Sequence, residues 1–156
     1  ALNAVIALAP EVHAVMQKDA AAGRTSKQYL AVVSGSPEPP QGQIASALAR
    51  DPADRRRVIV TSDGAACITR YEVISTDGAH STVRCELVTG RTHQIRVHLA
   101  ARGWPVVGDR VYGEPDARIA RQALHAWRVT LSHPRTREVI EFEAPLPDDI
   151  KFLAGL

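Results

Sequence analysis

Arg91 is the first residue from which chemistry can be argued. It stands in Thr89-Gly-Arg-Thr-His-Gln-Ile-Arg-Val-His98, between a segment of strand alternation and a segment of helical spacing. Before it, Val83, Cys85 and Leu87 share one face against Arg84 and Glu86. After it, Ile95 and Leu99 are four apart on one helical face, Ala100 and Ala101 favour helix, and Gly103 stands where a C-terminal cap belongs. The element is a strand, a tight turn at Gly90, then a helix with Thr92 as N-cap. A cation held beside the free N–H groups of a helix N-terminus makes a small anion site, suited to a carboxylate or a phosphate. The same pattern also fits an ordinary helix start with a solvated arginine and two surface histidines, and spacing alone does not choose between them.

Other chemistries lack their residues. His93 and His98 are five apart and so point in different directions on a helix, and there is no HExxH or CxxC, so no metal is expected. No G-x-S-x-G elbow, P-loop or dinucleotide fingerprint is present. Cys67 and Cys85 lie inside strand-like runs and read as small buried hydrophobes in a reducing compartment. No run reaches the ~18 to 20 apolar residues of a membrane span, and Ala1–Ala9 lacks the basic start of a signal peptide. The net charge of +2 is too small to announce a nucleic-acid binder. Sixteen of the nineteen basic residues are arginine, whose planar fork suits phosphate and base edges, although GC-rich coding produces the same bias.

The elements that must position Arg91 are short and mostly extended. Leu2–Leu8 is apolar and branched enough for a strand. Pro10 opens a helix with Val12, Val15, Met16 and Asp19 at i, i+3, i+4 and i+7, ended by Gly23, with His13 on its surface. Arg24–Gly35 alternates Tyr29, Ala31 and Val33 against Leu30 and Val32, apolar on both faces as in a central strand, with Lys27 on the side of Tyr29. Gln43–Leu48 and Arg57–Val60 are short strands joined by a solvated segment rich in arginine. Asp63-Gly64 and Asp77-Gly78 are turn dipeptides around the strand Ala66–Ile74, and their spacing predicts an antiparallel meander running into Thr82–Val88. Pro105–Val107 reads as extended, Asp109 as a turn or capping residue, and Ala117–Leu124 as a helical turn. Ala126–Leu131 and Glu138–Glu143 form a second hairpin around His133-Pro134, and Pro147–Leu153 a last short helix. At 156 residues this describes one α+β domain, a mainly antiparallel mixed sheet with a few flanking helices.

The wording of the central stretch, followed by Gly103-x-Pro105-x-x-Gly108-Asp109 and Tyr112-Gly113, closely resembles the RluA-type family of RNA pseudouridine synthases. Lys27-Gln-Tyr-Leu-Ala31, Leu124-His-Ala126, His133-Pro134 and Ala144-Pro-Leu-Pro147 match in the same order, so the resemblance spans nearly the whole chain. It implies a catalytic domain of the pseudouridine synthase fold over residues 1–156 that turns uridine in ribosomal or transfer RNA into pseudouridine. No cofactor and no metal are implied. An aspartate attacks the nucleoside or its glycal-forming partner, and the target nucleotide must leave its stack at a cost of a few kcal/mol. By the resemblance, Tyr29 stacks on the flipped base and takes part in removing its carbon-bound proton. Arg91 pairs with the catalytic aspartate, Ile95 lies close to the base, and Lys27 is a basic residue near the active-site strand. His93, Gln94, Arg96 and His98 match as supporting or RNA-facing groups. A cytoplasmic, monomeric enzyme without membrane association is expected.

One part of the family pattern has no counterpart. The family aspartate sits in His-Arg-Leu-Asp-x-x-Thr-Ser-Gly, ahead of a strand like Leu2–Leu8, and no such motif occurs here. Aligned on Lys27-Gln-Tyr29, it would fall just before Ala1, so an N-terminal portion carrying it is expected upstream. Asp51, Asp54, Asp63, Asp77, Asp109 and Asp116 lack the neighbours to replace it. The alternative is a catalytically inactive RNA-binding module of the same fold.

Overall fold

The computed structural model describes residues 5–156. In chain order it contains α1 (Pro10–Ala21), β1 (Ser26–Ser34), β2 (Gln41–Arg50), β3 (Val58–Val60), β4 (Ala65–Thr76), β5 (His80–Leu87), α2 (Gln94–Ala101), β6 (Leu124–Ser132), β7 (Val139–Glu143) and α3 (Asp148–Ala154). The strands form one seven-stranded sheet in the order β3-β2-β4-β5-β1-β6-β7, and every pairing among them is antiparallel. Helices and strands in these proportions make the expected α+β architecture. No helix among the described residues is long and apolar enough to cross a membrane.

The two strands on either side of the future site are held by different devices. At Asp77-Gly78 the Asp77 carboxylate accepts the N–H groups of Ala79 (2.9 Å) and His80 (2.6 Å), while Gly78 takes φ +89°, and β4 turns directly into β5. β1 enters later in the sheet, between β5 and β6, through Ala31, Val32 and Val33, none more than 1% exposed. These side chains, with Val83 and Cys85 of β5, Ile95 and Leu99 of α2, Val106 and Ile150, form the main core. A smaller cluster of Leu48, Val58, Cys67 and Val97 packs beneath Tyr112. Both cysteines are free and buried, and burial pushes the Cys85 thiol up to about 12.

Three expectations need correction. Residues 5–8 of the strand expected at Leu2–Leu8 are not strand, and the rest lie outside the described residues. Ile6 and Leu8 are exposed, and branched apolar residues without a sheet partner have nothing to hold them extended. Asp63-Gly64 does not close a hairpin, because β3 and β4 pair on opposite sides of β2. Instead it carries the chain across the end of β2, so close to Leu48 that a Cβ on Gly64 would stand 2.5 Å from the Leu48 carbonyl. Residues 117–124 form no helical turn. Asp116 accepts the Arg118 N–H at 2.8 Å and bridges to Ile119, and this local side-chain bond displaces the helix.

Helix α1 starts at Pro10 as expected and half-buries Val12, Val15 and Met16. Its buried Asp19 accepts hydrogen bonds from Arg137 (2.7 Å) and Arg24 (2.9 Å), which hold its carboxyl below the usual range and fix α1 to the turn between β6 and β7.

Candidate active site

Register brings the site together. Tyr29 of β1 lies opposite Cys85 of β5, and Leu87, two residues further along β5, projects from the same face. The chain leaves β5 at Leu87 and turns back through Gly90 and Arg91 into α2, so the turn stands over the face that carries Tyr29. The result is a cleft of about 280 Å³ lined by Tyr29, Leu87, Arg91, His93, Ile95 and Leu124, among others. Gln94 and Arg96 form part of its wall. Tyr29 and Arg91, far apart in sequence, thus face one cavity. Tyr29 is half-buried, and burial raises its pKa, so the phenol is protonated at neutral pH.

Arg91 is exposed at the lip. Its backbone N–H donates to Gln94 Oε1 at 3.0 Å, and no hydrogen bond or ion pair joins its guanidinium to another described residue. No aspartate or glutamate lines the cleft among the described residues. Nor do three His, Cys, Asp or Glu side chains meet there as metal ligands.

The polar residues that follow are held from within. Gln94 is 2% exposed, and its amide is fully used: Nε2 donates to the Ile68 carbonyl and Thr69 Oγ1, both at 3.0 Å, while Oε1 accepts from Arg91 N–H and Thr89 Oγ1 (2.9 Å). An amide with no free valence braces the turn, which is the supporting role among those expected of it. His98 is wholly buried between Thr69 Oγ1 (2.9 Å from Nδ1) and Ser46 Oγ (2.8 Å from Nε2), not at the surface, and burial lowers its pKa. Arg96 is likewise internal. Its Nε and Nη2 fork onto Asp109 Oδ2 and Oδ1 at 2.6 and 2.7 Å, and its side chain is 11% exposed. Burial pushes the Asp109 carboxyl up, but Arg96 and the N–H groups of Val111 and Tyr112 outweigh it and hold the pKa below the usual range.

Thr92 is not the helix cap. His93 occupies that position in the left-handed region at φ 55°, with no side-chain cap bond. Its Nδ1 lies 2.9 Å from Tyr112 Oη, and the rings meet edge-on with centroids 5.6 Å apart. Tyr112 also accepts the Val58 N–H at 2.7 Å and carries the guanidinium groups of Arg96 and Arg57 over its ring, at 5.0 and 5.6 Å. Burial, with the cations of Arg96 and Arg50, lowers the His93 pKa against the opposing pull of Asp109.

Lys27 is exposed and does not reach this cleft. It opens into a second cavity of about 300 Å³ between α1 and strands β1 and β6, beside Met16, Asp19 and Arg128. Tyr29 lines this second cavity as well as the cleft, and the β1–β6 register shift beside it places the extra residue, Trp127, on β6. Tyr112 and Asp109, which hold His93 and Arg96, carried no site role in the sequence. Their only signal was the Gly108-Asp109 and Tyr112-Gly113 wording.

Known proteins resemble the chain in these same parts. The family model for RNA pseudouridylate synthase matches residues 4–101. An uncharacterized RNA pseudouridine synthase of Chloroflexus aurantiacus is 46% identical over 134 residues, covering 85% of this chain and 42% of the relative. Ribosomal large subunit pseudouridine synthase D of Nitrosomonas europaea is 43% identical over 140 residues, covering 83% of this chain and 40% of the relative. The chain thus spans about two fifths of the length of these relatives. The structure of human RNA pseudouridylate synthase domain containing 1 superposes with a TM-score of 0.74 at 30% identity, over 90% of this chain and 62% of that one. Human RNA pseudouridylate synthase domain containing 4, at 18% identity and a TM-score of 0.69 over 89% of this chain and 66% of that one, shares the fold.

Proposed function

The chain belongs to the RluA-type family of RNA pseudouridine synthases, and from that premise we propose that its cleft receives a uridine turned out of a ribosomal or transfer RNA and takes part in its isomerisation to pseudouridine. The observation that carries this reading is the convergence of Tyr29, Ile95 and Arg91 on one cavity. A half-buried ring and a buried aliphatic side chain suit the two faces of a base. The exposed guanidinium suits a carboxylate or a phosphate. Ribosomal RNA is favoured because the Nitrosomonas relative is named for the large subunit. The enzyme would act in the cytoplasm as a monomer.

The reaction exchanges the bond from ribose C1′ to uracil N1 for one from C1′ to C5. C5 loses a proton and N1 gains one, so composition is unchanged and no redox partner enters. Tyr29 stacks on the base and stands nearest for the C5 proton, and its raised pKa means that it must first lose its own proton when the nucleotide binds. The attacking aspartate is contributed from outside residues 1–156. Support for this is the absence of any carboxylate in the cleft among the described residues. Asp109, the nearest through Arg96, has both oxygens bonded and no exposed side-chain surface. Once supplied, that aspartate would pair with Arg91 and be held ionised.

The same observation favours a second reading, an RNA-binding module that does no chemistry. Tritium release from 5-labelled uridine in RNA separates the two. The assay is run on this chain and on the chain carrying a His-Arg-Leu-Asp segment at its N-terminus. Background release from the first and turnover by the second is the expected result. Equal turnover would place the nucleophile within residues 1–156, and turnover by neither would leave the binding module.

A further inference from the structure

His93 and Tyr112 form a hydrogen-bonded pair that occupies one nitrogen of the imidazole. Tyr112 Oη already accepts the Val58 N–H at 2.7 Å, and the phenolic proton has one described acceptor, His93 Nδ1 at 2.9 Å. With the phenol as donor, Nδ1 is the unprotonated nitrogen and Nε2 carries the hydrogen. His93 lines the cleft and Tyr112 does not, so the Nδ1 edge turns away from the cavity and the Nε2 edge toward it. Nε2 has no partner among the described residues.

We infer that His93 contacts the substrate, presenting Nε2–H to the cleft as an uncharged hydrogen-bond donor to a carbonyl or hydroxyl of the bound nucleoside, and that Tyr112 is the residue that sets this donor. The inference rests on the uridine-binding reading of the cleft and adds a polar contact to the apolar ones made by Tyr29 and Ile95. An uncharged donor matches an uncharged acceptor, while phosphate or carboxylate charge falls to Arg91 at the lip. The groups facing the imidazole are consistent with this division. Burial and the cations of Arg96 and Arg50 disfavour the imidazolium and outweigh Asp109, which favours it. The left-handed backbone at φ 55° turns the side chain out of the α2 surface, a conformation that costs free energy for histidine and that asparagine adopts more readily.

That last point makes the test sharp. Asparagine places its amide near the position of Nδ1, keeps the Tyr112 contact and suits the backbone; glutamine suits the backbone less well but reaches the position of Nε2. Affinity is measured for an oligouridylate and for an abasic ribose-phosphate oligomer of equal length, with melting temperatures to certify each variant. His93→Asn is expected to lose about three- to tenfold of the preference for oligouridylate, the worth of one hydrogen bond, and His93→Gln to stay near the parent. The reverse order would show His93 to be only a left-handed cap and overturn the inference. Loss of preference for the nucleoside in the parent chain would overturn the uridine reading as well. A preference unchanged in His93→Asn would overturn the role of His93 alone. Independently of any RNA, the imidazole nitrogen spectrum of the parent at pH 7.5 should show Nε2 protonated and Nδ1 bare, and a protonated Nδ1 would refute the assignment.

Discussion

At the lip of the cleft, Arg91 is exposed and bonded to the described residues only through its backbone, whereas Arg96, one turn into α2, is forked onto a buried carboxylate with its side chain 11% exposed. Gln94 and His98 belong with Arg96, and every polar valence they have is answered inside the protein. The wall and the lip therefore have separate duties. Buried groups whose partners are protein hold geometry, and removing them costs stability. A group whose partner is absent can be removed cheaply, and what is lost is binding.

Stability measurements should rank the residues by that division. Asp109→Ala is the largest blow, because it leaves the half-buried Arg96 without its counter-charge and frees the Val111 and Tyr112 N–H groups. A loss of about 3 to 5 kcal/mol is expected from urea denaturation. A loss under 1 kcal/mol would show that the pair does not hold the wall. Gln94→Ala follows at about 2 to 3 kcal/mol, since it strands the Arg91 N–H and removes the donor to the Ile68 carbonyl and Thr69 Oγ1, leaving a buried gap.

Acid should weaken the wall next. The folded-state pKa values of His98 and His93 lie below 6.5, so the unfolded chain takes up these protons first. Their contribution is complete above about pH 6.5 and is lost as pH falls through and below that value, with a slope of at most about 1.4 kcal/mol per pH unit for each histidine. The urea midpoint at pH 7.5 and 5.5 should differ in the parent and differ less in His98→Gln. An unchanged difference would mean that His98 is not the sensor. Asp109 does not contribute in this window, because its lowered pKa places its titration in stronger acid. Arg91→Lys should move stability least, within about 0.5 kcal/mol. The same change should abolish most turnover once the aspartate is supplied, because lysine offers a point charge where a fork is needed. Near-normal turnover would return Arg91 to the status of a helix-terminal cation.

Much of this division was illegible in the sequence, for a physical reason. The period-two pattern located β1, β4 and β5, and the Ile95–Leu99 spacing located the buried face of α2, because burial repeats along an element. Arg91 and Tyr29 were singled out by motif wording, and the fold brings them to one cleft. Whether a polar side chain of that motif faces the cavity or the core depends on partners distant in sequence: Ile68 and Thr69 for Gln94, Asp109 for Arg96, Tyr112 for His93. Local periodicity carries no record of them. Lys27 shares a cavity with Tyr29 but not the cleft that holds Arg91, a distinction set by how α1 packs on β1 and β6 and not by alternation along β1.

The register of β1 also dictates an order of events during synthesis. β4 and β5 meet across the Asp77-Gly78 turn, while Tyr29 must find Cys85 on one side and Ala126 on the other. Closing longer loops costs more entropy, and distant pairings form slowly. The strand bearing Tyr29 thus leaves the ribosome early and waits, one edge open, until Ala126 has followed. The cleft comes into being only after the β4–β5 hairpin, and a nascent chain stalled before Ala126 would hold a finished hairpin but no place for a base. Pulse-labelled hydrogen exchange should show the Leu30 amide gaining protection after the amides of the β4–β5 hairpin. Simultaneous protection would mean that the sheet closes in one step.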